Sequence, residues 1–229
     1  MEQNSRLGGA EAAPPGSDAT PSGSEATPGS VRPGGRTAKV RAAVLDATQD
    51  ALVEQGFHAL NMDRVAAGAG VGKTTVYRRW GSSVGLVADL LSDMAEQSLP
   101  AADTGSLEGD LLANARLVRQ TLTDPRMGAV FQAVIAAAAC DAQCATALNG
   151  FYATRIREWA PCVERAVGRG EVPAGTDAGE VIRAVSAPLY YRFAVSREAV
   201  AEADADRAAG AALAAARAGV FVPIGPQGD

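Results

Sequence analysis

Gly56-Phe57-His58-Ala59-Leu60-Asn61-Met62-Asp63-Arg64-Val65-Ala66-Ala67-Gly68-Ala69-Gly70-Val71-Gly72-Lys73-Thr74-Thr75-Val76-Tyr77-Arg78-Arg79-Trp80-Gly81-Ser82 is the stretch whose reading decides the fold. Asn61 can cap a short helix over residues 62–69, with Met62, Val65, Ala66 and Ala69 on one face. Gly70-Val71-Gly72 then predicts a tight turn, because glycine reaches positive φ without a Cβ clash. A second helix follows over residues 73–80, burying Val76 and Trp80 at i, i+4 and exposing Lys73, Thr74, Thr75, Arg78 and Arg79. Two short helices around a glycine turn, the second carrying hydroxyl and basic groups, have the form of a DNA-binding helix-turn-helix. A helix fits the B-DNA major groove, where Arg or Lys reads guanine edges, a Thr methyl meets a thymine methyl, and hydroxyls and amides hold phosphates.

Outward from this stretch the texture stays helical. Upstream, Thr37 is the expected N-cap of a helix carrying Val40, Val44, Ala47 and Ala51. Downstream, Gly81-Ser82-Ser83 breaks the chain, and Ser83 is the expected cap of a helix through Leu86, Leu90, Leu91 and Met94. Beyond Pro100, four apolar stripes follow at helical spacing: Leu111/Ala115/Val118/Leu122, Val130/Phe131/Val134/Ile135, Leu148/Tyr152/Ile156/Trp159 and Ile182/Val185/Leu189/Phe193. Pro161 should kink or end the third of these helices, since it lacks an N–H. A final Ala-rich helix is expected over residues 204–220. No segment alternates as a strand does, so the fold class is all-α: an N-terminal three-helix module at 37–82, then a helical bundle at 83–222.

Residues 1–36 differ in kind. Gly, Pro, Ser, Ala and Thr fill 24 of the 36 positions, so this segment reads as a disordered low-complexity tail, as does 223–229 as a flexible end. The whole chain is 47% hydrophobic, and no apolar run approaches the roughly 20 residues of a membrane span. With no secretory pattern at the start, the expectation is a soluble cytoplasmic protein. Cys140, Cys144 and Cys162 are an odd number for a reducing compartment, which favours free thiols. The net charge of -5 argues against a polyanion partner until it is divided. Residues 32–81 hold eight basic against four acidic residues, while residues 82–229 hold 12 against 18. Only the first part is suited to touch nucleic acid.

The quoted stretch resembles the N-terminal module of the tetracycline-repressor (TetR) family of bacterial regulators, over residues 37–90. Its most specific parts are Gly56-Phe57, Val65-Ala66, Ala69-Gly70-Val71 and Thr75-Val76-Tyr77-Arg78. Arg169-Gly170-Glu171-Val172 and Ala187-Pro188-Leu189-Tyr190-Tyr191-Arg192-Phe193 are similar to one C-terminal subclass. The resemblance implies a homodimeric, ligand-responsive transcriptional regulator, most simply a repressor, acting on a quasi-palindromic double-stranded DNA operator. It further implies DNA contacts from Lys73, Thr74, Thr75, Tyr77 and Arg78, with Asn61 near phosphate. Gly72 departs from the usual Ser-like cap of the recognition helix. Ser83-Val84 stands where many members carry Lys-Glu, so Arg79 or the arm residues Arg32 and Arg36 are the compensating charges. The implied dimer uses the last two helices, with Ala212 and Leu213 expected near the two-fold axis.

Other chemistry is weaker in the sequence. Ala67-Gly68-Ala69-Gly70-Val71-Gly72-Lys73-Thr74 fits a relaxed P-loop, which would make the chain a nucleotide triphosphatase, yet the preceding residues are spaced as a helix rather than a buried strand. Cys140 and Cys144 at i, i+4 suggest a thiol or soft-metal site, against the plainer reading of small packing residues. His58 is the only histidine, which largely excludes triads and histidine zinc sites, and no cofactor, metal or catalytic residue is expected. Phe131, Phe151, Tyr152, Trp159 and Tyr190 are candidates to line a small-molecule pocket, against the plainer reading of core aromatics.

Overall fold

A computed structural model describes residues 33–98 and 100–223. Nine α-helices and no strand occur among the described residues: α1 (Pro33–Gln55), α2 (Met62–Gly68), α3 (Lys73–Trp80), α4 (Ser83–Glu96), α5 (Leu107–Thr123), α6 (Pro125–Ala138), α7 (Ala142–Gly168), α8 (Ala178–Tyr190) and α9 (Glu202–Arg217). A 3₁₀ turn at Phe57–Ala59 joins α1 to α2, and a π-helical turn at Tyr191–Ser196 follows α8. Side-chain caps set many of the starts. Ser106 opens α5, Asp124 opens α6 ahead of Pro125, Asp141 opens α7 and Asp177 opens α8, each accepting from amides two or three residues on.

Two hydrophobic cores organise these helices. One joins α5, α7, α8 and α9 with Phe131 of α6, around Leu111, Trp159, Val185 and Leu189. The other holds Val44, Leu52, Val65, Val76, Trp80, Leu86 and Leu90 from α1 to α4, and also takes Val130 and Val134 of α6 and Leu148 of α7. The bend at Ser82-Ser83 therefore falls inside a shared core, and α4 belongs as much to the N-terminal helices as to the bundle.

Several expectations need correction. Helix α1 is already running at Pro33, a turn ahead of Thr37, proline being favoured as a first helical residue. Arg36 thus lies on a helix rather than on an arm; the rest of the expected tail, Arg32 included, and residues 224–229 lie outside the described residues. Ser82, not Ser83, caps α4. Pro161 does not end α7, which continues to Gly168: Cys162, Val163 and Ala166 are fully buried there, so packing outweighs one lost hydrogen bond. Asp141 caps α7 after Cys140, so Cys140 is exposed outside the helix while Cys144 is buried within it, and the two do not share a helical face. The last helix spans Glu202–Arg217, and its Ala212 and Leu213 are buried inside the protomer against α5 and α8. They are core residues of the protomer and not part of its exposed face.

Candidate functional site

Asn61 Oδ1 accepts from the Asp63 amide at 2.8 Å and the Arg64 amide at 3.3 Å, which fixes the start of α2. At its far end Gly70 takes φ +63°, and the Val71 amide donates to the Ala66 carbonyl at 2.9 Å, which turns the chain toward α3. Val76 and Trp80 pin α3 to the core, so Lys73, Thr74, Tyr77, Arg78 and Arg79 stand exposed and Thr75 is half-buried. The structure thus brings together the residues expected to meet DNA, with Asn61 across the turn and Arg36 on a separate helix. Gly72 contributes no side-chain cap; the Thr75 amide instead donates to its carbonyl at 2.9 Å. Lys73 Nζ donates to Asp63 Oδ2 at 2.6 Å, and this pairing holds the Asp63 carboxyl below its ordinary range and the Lys73 ammonium above its own. The Arg79 guanidinium lies 5.0 Å over the Trp80 ring.

Trp80 also ties α3 to α4. The chain bends sharply at Gly81, and a Cβ on Gly85 would fall 2.0 Å from the Trp80 carbonyl oxygen, so only glycine permits this close return. Trp80 Nε1 donates to Asp89 Oδ2 at 2.8 Å, and Arg41 of α1 donates to Asp89 Oδ1 at 2.8 Å. Arg41 grips Asp93 as well, one turn along α4. Burial pushes the Asp89 carboxyl up, but the bonds from Arg41 and Trp80 outweigh it and leave Asp89 below its ordinary value. The Asp89 bond raises Arg41, burial notwithstanding.

Asp93 and Arg41 reach an open cavity of about 1330 Å3 lined by residues of α1, of α4 through α8 and of the turn after α8. All five aromatics named from the sequence line it: Phe131, Phe151, Tyr152, Trp159 and Tyr190. Phe131 meets Phe151 at 5.3 Å between ring centroids, Phe151 meets Tyr152 at 5.5 Å, and Tyr152 meets Tyr190 at 5.2 Å, each edge to face. Burial pushes the Tyr152 phenol up to about 12 despite a hydrogen bond with Tyr190, and raises Tyr190 well above its ordinary value. The thiols of Cys144 and Cys162 are likewise raised by burial, Cys162 to about 12, which disfavours the reactive thiolate. No group of three or more candidate metal ligands occurs among the described residues.

Comparison with known proteins bears on both halves. Residues 44–90 match the bacterial regulatory proteins of the tetR family, and residues 101–212 match the tetracyclin repressor-like C-terminal domain. The HTH-type transcriptional regulator YdeS of Bacillus subtilis is 30% identical over 69% of this chain and 80% of its own. The DNA-binding transcriptional repressor TetR of Mycobacteroides abscessus is 30% identical over 66% of this chain and 80% of its own. The TetR-family regulator SCO0332 superposes with a TM-score of 0.64 at 29% identity, covering 77% of this chain and 97% of the other. The chain belongs to the TetR family. It is a DNA-binding transcriptional regulator, with a DNA operator, a second copy of itself and a small-molecule effector as the partners of that family.

Membership settles the competing reading of the glycine turn. What precedes Gly68 to Gly72 is α2, not a strand, and Lys73 is paired with Asp63, so the P-loop alternative is withdrawn. No helix of the described residues is long and apolar enough to cross a membrane. The residues that sequence reasoning missed are Arg41, Asp89, Asp93 and Asn114. A signal existed for two of them: Asp89 and Asp93 are i, i+4 carboxylates on a largely apolar helix, a spacing that lets one cation grip both.

Proposed function

We propose that this TetR-family regulator is an effector-responsive repressor in which α4 links the cavity to the DNA-reading helix. Two α3 helices of a homodimer would enter successive major grooves of a quasi-palindromic operator, about one helical turn apart. In that arrangement Arg78 reads a base edge, Lys73, Thr74, Thr75, Tyr77 and Arg79 make base or phosphate contacts, and Asn61 and Arg36 flank the backbone. The single observation that carries the reading is the double engagement of α4: Asp89 holds Trp80 of α3, while Leu90, Asp93 and Met94 of the same helix face the cavity. A molecule filling the cavity would favour a position of α4 in which the reading helices no longer match the grooves, and it can shift that balance only by its difference in affinity for the two states.

The proposed dimer face lies on α8 and α9. Ala187 and Pro188 of the one, Tyr191 at the start of the turn that follows it, and Gly210, Ala211 and Ala214 of the other, are exposed residues next to the buried ones. No catalytic residue is assigned, and action in the cytoplasm follows from the need to reach DNA. The test is operator selection from random duplexes by the purified protein, followed by titration of variants. Arg78→Ala should weaken the selected operator by about 1 to 3 kcal/mol and relax one base position. Unchanged affinity in the Lys73→Ala/Arg78→Ala double variant would remove α3 from the interface.

A further inference from the structure

The side of the cavity contributed by α1 and α4 is rich in acceptors and poor in donors. The Arg41 guanidinium is committed to carboxylates: Nε and Nη2 donate to Asp89 and Nη1 to Asp93, so two acids share one cation. Gln97, one turn beyond Asp93, donates from Nε2 to Asp93 Oδ2 at 2.6 Å, and Gln49 of α1 donates from Nε2 to Met127 Sδ at 3.4 Å. Both carboxamides thus spend their nitrogens on the protein and keep carbonyl oxygens, which only accept. Asp46 of α1 is exposed, and its carboxylate has no ion-pair or hydrogen-bond partner among the described residues. Arg41, Asp46, Gln49, Asp93 and Gln97 all line the cavity.

These groups are neighbours. Asp46 is five residues past Arg41 and three before Gln49, about 7.5 and 4.5 Å along the helix axis, and Arg41 bonds directly to Asp93. Taken with their ion-pair partners, the lining charges are three cations, Arg41, Arg155 and Arg183, against five anions, Asp46, Asp89, Asp93, Glu158 and Glu180. Arg155 and Arg183 are balanced by Glu158 and Glu180 one turn away, so the negative excess sits on the α1 and α4 side. Arg79 of α3 also acts on Asp89, but it does not line the cavity and leaves Asp46 unbalanced.

The α7 and α8 side is of another kind. Phe151, Tyr152 and Tyr190 are only partly buried, so ring surface stays within reach, and they meet edge to face in sequence. Burial raises the Tyr152 and Tyr190 phenols, so this interior disfavours an anion. An N–H-bearing cation satisfies the first side, and a planar apolar body satisfies the second, whose ring faces attract positive charge as well.

We propose that the cavity takes an aromatic ammonium, with its rings against Phe151, Tyr152 and Tyr190 and its charge toward the acceptors of α1 and α4, Asp46 foremost. The inference rests on the effector-responsive reading above and gives that effector a chemical class. The test is fluorescence titration of the full chain with 1-pyrenebutylamine, 1-pyrenebutanol and 1-pyrenebutanoate, whose flexible arms leave the span free. The amine should bind about tenfold more tightly than the alcohol, and the carboxylate most weakly. That ratio should shrink as salt is raised, because Asp46 is exposed. Asp46→Asn should cut it to about threefold or less while the alcohol still binds, and Asp46→Lys should reverse the order of amine and carboxylate, which a merely structural role would not do. Phe151→Leu should weaken all three probes. Equal affinity for amine and alcohol, tighter binding of the carboxylate to the wild type, a charge order that survives Asp46→Lys, or no binding of the amine at its solubility limit would each overturn the assignment. Saturating amine should also weaken operator binding; the expected order without that effect would overturn the class as that of the effector. Operator binding without ligand separates the two readings: if it persists while the charge order is absent, only the ligand class falls, whereas its absence in the wild type removes the regulator reading itself.

Discussion

The bond from Trp80 to Asp89 should be measurable as a coupling energy, and its size follows from its surroundings. A hydrogen bond to a charged acceptor contributes about 1.5 to 3 kcal/mol, and a site about a quarter exposed belongs near the lower bound. Trp80→Phe removes the N–H and also some packing, whereas Asp89→Ala removes the acceptor and one of Arg41's two partners. Because Arg41 keeps Asp93, the second change should cost roughly 2 kcal/mol rather than the 3 to 5 kcal/mol seen when a buried charge is left alone. In the double variant the indole packing loss and the Arg41 loss each recur, but the Trp80–Asp89 bond can be lost only once. The cycle should therefore close with a coupling of about 1.5 kcal/mol.

Urea unfolding at fixed protein concentration, followed by far-UV circular dichroism, gives all four stabilities, and fixing the concentration keeps dimerisation from entering the differences. In thermal scans each kcal/mol should appear as about 2 to 4 °C for a chain of this size. The same four proteins titrated onto a selected operator should show coupling of the same sign, because this bond fixes the end of α3 against α4. Stabilities that add within about 0.5 kcal/mol would mean that the indole and the carboxylate do not interact in solution, and α4 would lose its proposed hold on α3.

Three further outcomes are expected. The Asp89 carboxyl is depressed in the folded chain, so its contribution is fully present above the unfolded carboxyl pKa of about 4 and is lost as pH falls below it; denaturation between pH 6 and 3 should show this loss in the wild type and a shallower one in Asp89→Ala. Asp63→Ala should free Lys73 for phosphate, raising affinity for random-sequence DNA and steepening the slope of log K against log salt by about 0.9 for each protomer on the duplex; an unchanged slope would mean that Lys73 meets no phosphate. Ala211→Arg together with Ala214→Arg should split the dimer in sedimentation while helicity is retained, whereas Leu213→Arg should unfold the protomer; an intact dimer carrying the first pair would move the interface off α9.

The N-terminal helices were legible because their boundaries are written in local chemistry. Asn61, Gly70 and Gly81 act on backbone within a few residues of themselves, so α2 and α3 came out nearly residue for residue. Tertiary packing decides the places where the reading missed. Pro161 breaks a local rule and survives because three residues just after it are sealed in the core. Leu213 and Ala212 looked like interface residues because a helix of alanines needs close company, but periodicity cannot say whether that company is α5 and α8 or a second protomer. The same limit hid the cavity. The spacing on α7 shows that Phe151, Tyr152 and Trp159 turn inward, yet not that Phe131 and Tyr190 from two other helices meet them around a void. Asn114 did leave a trace, as a polar residue three before Leu117 and four before Val118, with Asp110 one turn ahead of it as a second buried polar group on that face.

The magnitudes suit α4 to act as a lever without any large deformation. Asp89 and Asp93 are four residues apart, about 6 Å along the helix, and Arg41 grips both, so this part of α4 moves with α1 as one body. Coupling between an effector and a regulator's second site typically amounts to about 1 to 3 kcal/mol. The Trp80–Asp89 bond, at about 1.5 kcal/mol, already falls in that range, and its loss alone would change the occupancy of the DNA-reading position about tenfold. In a dimer both copies of α3 must be placed at once, so a tenfold change in each would reach about a hundredfold in operator affinity if the two act independently. An effector need only favour the α4 position that opens this one bond; it has no need to unfold the reading head or to touch it.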